Sequence, residues 1–409
     1  MDTTGLDDKT TQEWINRVER ERARTGRPTG FPDLPDISPG RYLDDEFFNL
    51  ERAAMWHRMW LYAAHMDQLP KPGSFLVWPH GSAPILVIRG DDGEVRAFYN
   101  TCRHRGAPVV RATAGHASKT LVCGYHGWSY DRQGALRGVT EQRDWGVVDP
   151  ACRGLVPVRC ERFANWVFLC EDAEVEPLSE YLEPLARYLR HLPLHSLRLV
   201  NRREFEVRCH VKILMENFLE AYHFKLLHPG TTDRIFDNQG TSVHLWPNGH
   251  SMMLSPNRRD DWVDPGTIGM PEMENTTAIE RHFNPSYSLF PNLILPIAPT
   301  GIPCVALWPK TIRTSTMEVL WFAPDWGGGQ RDPLWDIRIA NFDRIVDEDI
   351  QLAEPMQETI ESKGFRGVPL SYQERRIYHW HEELDRRIGV DHVPVELRVP
   401  LVLADYVEE

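Results

Sequence analysis

Cys102-Arg103-His104-Arg105-Gly106 and, further along the chain, Cys123-Gly124-Tyr125-His126-Gly127-Trp128 read as two halves of one site. Each half supplies one thiolate and one imidazole and then runs into glycine. Two thiolates on one iron and two imidazoles on the other can hold a [2Fe–2S] cluster. Neutral imidazoles in place of anionic thiolates raise the potential of such a cluster to roughly −150 to +300 mV. A cluster of that kind can pass electrons to a centre that activates oxygen. A structural zinc site takes the same Cys₂His₂ set. Zinc knuckles usually open with two cysteines in one turn, however, and neither half does so. The glycines let backbone approach a cluster and donate N–H groups to its sulfides.

The 409 residues predict two or three domains with ample core. No apolar run is long enough to span a bilayer. The segment Met1-Asp2-Thr3-Thr4-Gly5-Leu6-Asp7-Asp8 lacks the basic and apolar regions of a secretory signal, so a soluble, cytoplasmic chain is expected. Cys152, Cys160, Cys170, Cys209 and Cys304 show no framework spacing and read as thiols of a reducing compartment. A net charge of −13 argues against nucleic acid and against anionic membrane surfaces as partners. The charge is uneven. Arg103, Arg105, Arg111, Lys119, Arg132, Arg137 and Arg143 face only Asp131 and Glu141 over the same stretch. That is either a solvated face or a docking patch for an acidic electron-transfer protein.

Along the chain, residues 1–45 are polar and then rich in proline, and read as an arm over the surface. Residues 46–170 begin with a helix (Asp45 to Met59) and continue as short strands around the turn Gly90-Asp91-Asp92-Gly93, an antiparallel β domain carrying both cluster loops. Residues 171–409 mix α and β. A helix is expected over Leu178 to Leu192, a strand over Arg203 to Cys209, and a helix from about Lys212. Residues 229–275 read as a long connection without periodicity. Strands follow at Ser288 to Ile297, Pro303 to Trp308 and Ser315 to Ala323, then a long helix from about Asp332.

The helix from Lys212 carries Glu216-Asn217-Phe218-Leu219-Glu220-Ala221-Tyr222-His223, followed by His228. His223 and His228 can face one cavity if the helix loosens before Pro229, and Asn217, Glu220 and His223 recur on one face. Two imidazoles and a carboxylate form the facial triad of non-heme Fe(II) oxygenases, with positions open for oxygen and substrate. Alone, such a His pair is weak evidence.

Together, the two motifs resemble those of the Rieske non-heme iron oxygenases, in their terminal (alpha) subunits. The resemblance spans nearly the whole chain and includes Ser288-Leu289-Phe290-Pro291-Asn292-Leu293. It departs at His210-Val211-Lys212, where the family usually has Asn-Trp-Lys. It implies an α+β fold, with a Rieske-type antiparallel β domain and a helix-grip (START-like) catalytic domain built of an antiparallel sheet and long helices. It also implies a [2Fe–2S] cluster on Cys102, His104, Cys123 and His126, and a mononuclear iron on His223, His228 and a third acid. Glu348-Asp349, Glu354 and Gln357 fit the family pattern for that acid, which points to Asp349, with Asp347 as the alternative. By the same resemblance Glu220 bridges His223 to His126 of the partner subunit, which requires a head-to-tail homotrimer, and Asn217 is a catalytic-site residue. O₂ would be the co-substrate. Electrons would come from a ferredoxin or flavin reductase, and from NAD(P)H only indirectly.

The expected activity is hydroxylation of a small organic molecule. The alternative is oxidative demethylation or C–N cleavage of a quaternary ammonium or N/O-methyl compound, since hydroxylation beside N or O gives an unstable product. Fourteen tryptophans could supply a cage for such a cation. An electron carrier would need no second metal site. The substrate pocket is expected to be lined from the helix near Phe218, from residues 229–275 and from the strands around Ile294 and Val305 to Leu307.

Overall fold

The computed structural model describes residues 6–259, 261–263, 267–327 and 329–408. It divides into two compact units: Trp56–Tyr181, and the described residues on either side of that segment. The cluster unit is therefore inserted into the catalytic unit. This differs from the expected boundaries at 45 and 170, because the N-terminal segment is a structural part of the catalytic unit rather than an arm.

That segment forms α1 (Asp8–Ala23), α2 (Gly40–Leu43) and α3 (Asp45–Glu51), the last running into a π-helical turn at Arg52–Trp56. Asp7 caps α1 by accepting from Thr10 N, and Asp44 caps α3 by accepting from Phe47 N. The composition of residues 1–23 hides α1, because only Trp14, Val18 and Glu21 are buried on an otherwise polar helix.

The cluster unit contains β1 (Leu61–His65), β2 (Ser74–Trp78), β3 (Ile85–Arg89), β4 (Val95–Tyr99), β5 (Ala114–His116), β6 (Thr120–Val122), β7 (Ser129–Asp131), β8 (Leu136–Gly138), β9 (Pro157–Phe163) and β10 (Trp166–Cys170). Seven of them form an antiparallel sheet in the order β1-β10-β9-β4-β3-β2-β5, and β6-β7-β8 form a second sheet. The predicted turn closes the β3–β4 hairpin, with Gly93 at φ 85° donating to Gly90 O. Phe75, Leu86, Ile88, Phe98, Trp128 and Tyr130 form the core, and Cys102 and Cys123 belong to it.

The expected helix over Leu178 to Leu192 is two short ones, α4 (Leu178–Tyr181) and α5 (Leu185–Leu189), separated at Pro184, which has no N–H to continue the ladder. The catalytic sheet is β11 (Arg198–Val207), β12 (Ser242–Leu245), β13 (Ser251–Pro256), β14 (Phe283–Leu289), β15 (Leu293–Pro296), β16 (Ile302–Thr311) and β17 (Thr314–Ala323). It is antiparallel throughout, in the order β11-β17-β16-β15-β14-β13-β12. Residues 229–275 thus contain two strands rather than one long connection. Every residue of β12 and β13 is buried, so the alternation that marks a half-exposed strand is missing.

The helices are α6 (Val211–Asn217), α7 (Phe224–Leu227), α8 (Thr232–Ile235), α9 (Ala278–His282), α10 (Leu334–Ile360) and α11 (Arg375–Ile388). A buried polar network fixes the end of α6. Tyr42 donates to Glu216 Oε1 at 2.6 Å, and His381 Nε2 lies 2.9 Å from the same oxygen. Arg41 Nε donates to His381 Nδ1 at 3.0 Å, so the ring is neutral and carries its proton on Nε2. Arg41 also pairs with Asp385 at 2.7 Å, with both side chains fully buried.

Candidate metal centres and substrate cavity

The two cluster loops share one construction. Gly106 N donates to Cys102 O and Gly127 N donates to Cys123 O, each glycine having positive φ (76° and 72°). Each loop therefore turns back within five residues and leaves its cysteine inward, 3% and 2% exposed. Both thiols are free. Tyr130 of β7 packs against the first loop, 3.3 Å from Cys102 Sγ and accepting from Arg103 N at 3.0 Å. The His104 and His126 rings lie 4.6 Å apart, and His104 stacks on Trp128 at 5.1 Å. His104 is held below its ordinary pKa by burial and then by His126 and Arg105, so it is a neutral donor. His126 Nδ1 is buried without a hydrogen-bond partner among the described residues, as a ligand atom would be. Two buried thiols and two imidazole rings 4.6 Å apart fit a [2Fe–2S] cluster.

The second centre is assembled from α7, its approach and α10. The expected continuous helix from Lys212 is broken. It ends at Asn217, and Glu220 turns its carboxylate onto the backbone N–H groups of Tyr222 and His223. These local bonds compete with the helical ladder. Asn217, Glu220 and His223 are therefore not on one helical face, although all three line one cavity. His223, His228 and Asp349 offer ligand atoms that lie within 4.8 Å of one another. Asp349 arrives through helix phase. The buried stripe of α10 runs Ile339, Asp343, Val346, Asp349, Ala353, Gln357, and Asp347 points to solvent.

The tautomers are set by two further carboxylates. Glu220 Oε1 is hydrogen-bonded to His223 Nδ1, and Glu348 Oε2 lies 2.6 Å from His228 Nδ1, which leaves Nε2 of each ring for a metal. His228 Nε2 lies 2.9 Å from Asp349 Oδ1, yet that oxygen makes no aligned hydrogen bond. Near but mis-aimed at each other, these atoms suit two ligands of one ion. Burial works against charging His228, but Asp349 and Glu348 outweigh it and raise its pKa. In the sequence Glu348 is only part of a pattern, because its bond to a histidine 120 positions away carries no local signal.

A cavity of about 1030 Å³ opens over this triad. Phe218 and residues of 229–275 line it, as expected. The two expected strands line it as well, through Pro296 and Pro303, with Ile297 beside them, whereas Ile294, Val305 and Leu307 themselves are fully buried in the sheet.

Comparison with known proteins matches these two sites to two families. Residues 59–154 match the Rieske [2Fe-2S] domain, and residues 194–390 match the ring hydroxylating alpha subunit (catalytic domain). The chain therefore carries a Rieske [2Fe-2S] domain and a catalytic domain of the ring hydroxylating alpha subunit type. These domains imply a Rieske cluster and a mononuclear non-heme iron.

The chain is 39% identical over 194 residues to the large oxygenase component of the 2,4-dinitrotoluene dioxygenase system of Burkholderia sp. (strain RASC), covering 46% of this chain and 43% of that one. It is 34% identical over 222 residues to the large oxygenase component of the naphthalene 1,2-dioxygenase system of Pseudomonas putida (52% and 49%). It is 30% identical over 190 residues to the glycine betaine monooxygenase oxygenase subunit of Pseudomonas aeruginosa (46% and 43%). The chain spans about half the length of the curated relatives it matches. Its fold is that of a quaternary ammonium Rieske monooxygenase (TM-score 0.74, 20% identity, 90% of this chain and 100% of that one). It is also that of naphthalene 1,2-dioxygenase from Rhodococcus sp. (TM-score 0.71, 20% identity, 95% and 100%).

Proposed function

We propose that this chain is the terminal oxygenase component of an electron-transfer system, which uses O₂ at a mononuclear iron to hydroxylate a small organic substrate. A ferredoxin or flavin reductase would supply the electrons. The observation that carries this reading is the convergence of His223, His228 and Asp349 under one cavity, in a chain that also holds a Rieske domain. When bound, the cluster supplies electrons and the iron supplies the place where O₂ is reduced.

The chain's own residues have separable roles. His223 and His228 present Nε2, and Glu220 and Glu348 hold their Nδ1 protons. Asp349 adds the third ligand. Asn217 faces the same cavity and is assigned a catalytic-site role. Glu220 is the bridging residue toward His126 of the partner subunit, within a homotrimer. Support comes from the surface beside it, where Tyr222 and Leu226 are 63% and 88% exposed, an apolar face suited to a neighbour. A carboxylate between two imidazoles orients both and couples proton to electron movement.

Oxidative demethylation of a quaternary ammonium compound is the second reading, favoured by the match to the glycine betaine monooxygenase subunit. The test is one turnover of the chemically reduced protein under ¹⁸O₂ with aromatic and methylammonium compounds. Two labelled oxygens in a product indicate a dioxygenase, whereas one, or formaldehyde release, indicates a monooxygenase or demethylase. Reduced protein that reoxidises with no label in any compound would count against the proposal.

A further inference from the structure

The cavity over the triad carries charge that oxygen chemistry at the iron does not use. Away from the metal site, its acids are already answered within the chain. Glu280 pairs with buried His191 at 3.0 Å and accepts from Thr277 at 2.7 Å, and Glu272 accepts from Arg281 at 3.0 Å. Asp261, 3.9 Å from Arg259, projects into solvent. The cations differ. Arg234 on α8 and Arg344 on α10 line the same cavity with exposed side chains, and neither makes an ion pair with any described residue.

The two tryptophans lining the cavity are also unavailable to a cation. The guanidinium of Arg338 lies 5.2 Å from the centre of Trp321, and that of Arg259 lies 5.5 Å from the centre of Trp262. An aromatic cage needs ring faces that no cation already occupies. Here both indoles carry a guanidinium, and two further positive charges stand nearby. A guanidinium without a carboxylate presents a planar fork of donors that matches a carboxylate on a ligand.

We infer that the site takes an aromatic carboxylate, with its ring toward the triad and its carboxylate toward Arg234 and Arg344, in preference to a quaternary ammonium compound, which would face these two unpaired cations. This rests on the oxygenase reading above and narrows its substrate.

Calorimetric titration of the iron-loaded full chain with 2-naphthoate, its neutral isostere 2-naphthamide, and phenyltrimethylammonium tests it. The acid should bind about tenfold or more tighter than the amide, the gain expected of charge-assisted hydrogen bonds, and the ammonium weakest. In Arg234→Gln/Arg344→Gln the acid should fall to the level of the amide, while Arg234→Lys/Arg344→Lys keeps a preference for the acid. Equal binding of acid and amide, tighter binding of the ammonium, an undiminished preference in the glutamine variant, or no binding of any of the three overturns the inference. Single turnover under ¹⁸O₂ with the same compounds separates the two readings. Preference for the acid with no label in any compound sinks the oxygenase reading alone, and label in the amide or ammonium without preference for the acid sinks the inference alone.

Discussion

Glu220 and Glu348 decide which nitrogen His223 and His228 offer to the candidate metal site. An imidazole has two nitrogens, and a carboxylate on Nδ1 fixes the proton there and directs Nε2 outward. Glu348→Ala should therefore weaken mononuclear iron binding by about 10–100-fold while the visible spectrum of the cluster stays unchanged, a split that metal analysis and absorbance read together. Asp349→Ala should empty the same site, and Asp347→Ala should leave it filled, because only Asp349 lies on the buried stripe of α10. At this scale the sequence is informative where the chemistry forces local spacing. Cysteine, histidine and glycine recur within each cluster loop, and the triad histidines lie five residues apart. Glu348 is invisible for the opposite reason, since its partner is brought near only by packing.

Elements are legible when burial is one-sided and opaque when it is not. The hairpin of β3 and β4 announces itself through its glycine turn, but β12 and β13, buried on both faces, do not. The break after α6 also escapes helical periodicity, because a single glutamate side chain takes over backbone N–H groups that the ladder would use.

The end of α6 makes a stability prediction. Burial pushes the Glu216 carboxyl up to about 7, against the opposing pull of Tyr42, Lys212 and Arg41. A raised carboxyl binds its proton more tightly folded than unfolded. Its contribution to stability is therefore full below the unfolded value near 4.5 and is lost as pH climbs to about 7. Glu216→Gln keeps an acceptor for Tyr42 and His381 and removes the titration. Urea melts at pH 5 and pH 8 should show the variant gaining on the parent by about 2–3 kcal/mol at the higher pH. An unchanged difference between the two pH values would contradict this account. Arg41→Met should cost about 3–5 kcal/mol at either pH, because Asp385 is then left buried without its partner.

For the whole molecule, the proposed bridge through Glu220 ties activity to assembly. Glu220→Ala should retain both metals and lose most turnover, and sedimentation should report three chains for parent and variant alike. Normal turnover in the variant would remove Glu220 from the path. The basic stretch of the cluster unit is smaller than its composition suggests. Arg132 pairs with Asp91, Arg137 with Asp131, and Arg143 with Glu141, whereas Arg105, Arg111 and Lys119 make no ion pair with described residues. If those three steer an acidic ferredoxin-type donor, its rate of reducing the cluster should fall as salt is added. A rate indifferent to salt would assign them to solvation.

The insertion of the cluster unit also imposes an order on synthesis. Residues 56–181 are contiguous, so they can fold and receive iron and sulfide while the rest of the chain is still on the ribosome. The catalytic unit has no such freedom. Arg41 and Tyr42 precede the inserted unit, yet Asp385 and His381 follow it, so α2 must wait until well after that unit is made for these partners. A product stalled after residue 181 would thus hold a complete cluster unit joined to an incomplete catalytic unit, with α2 still lacking its partners.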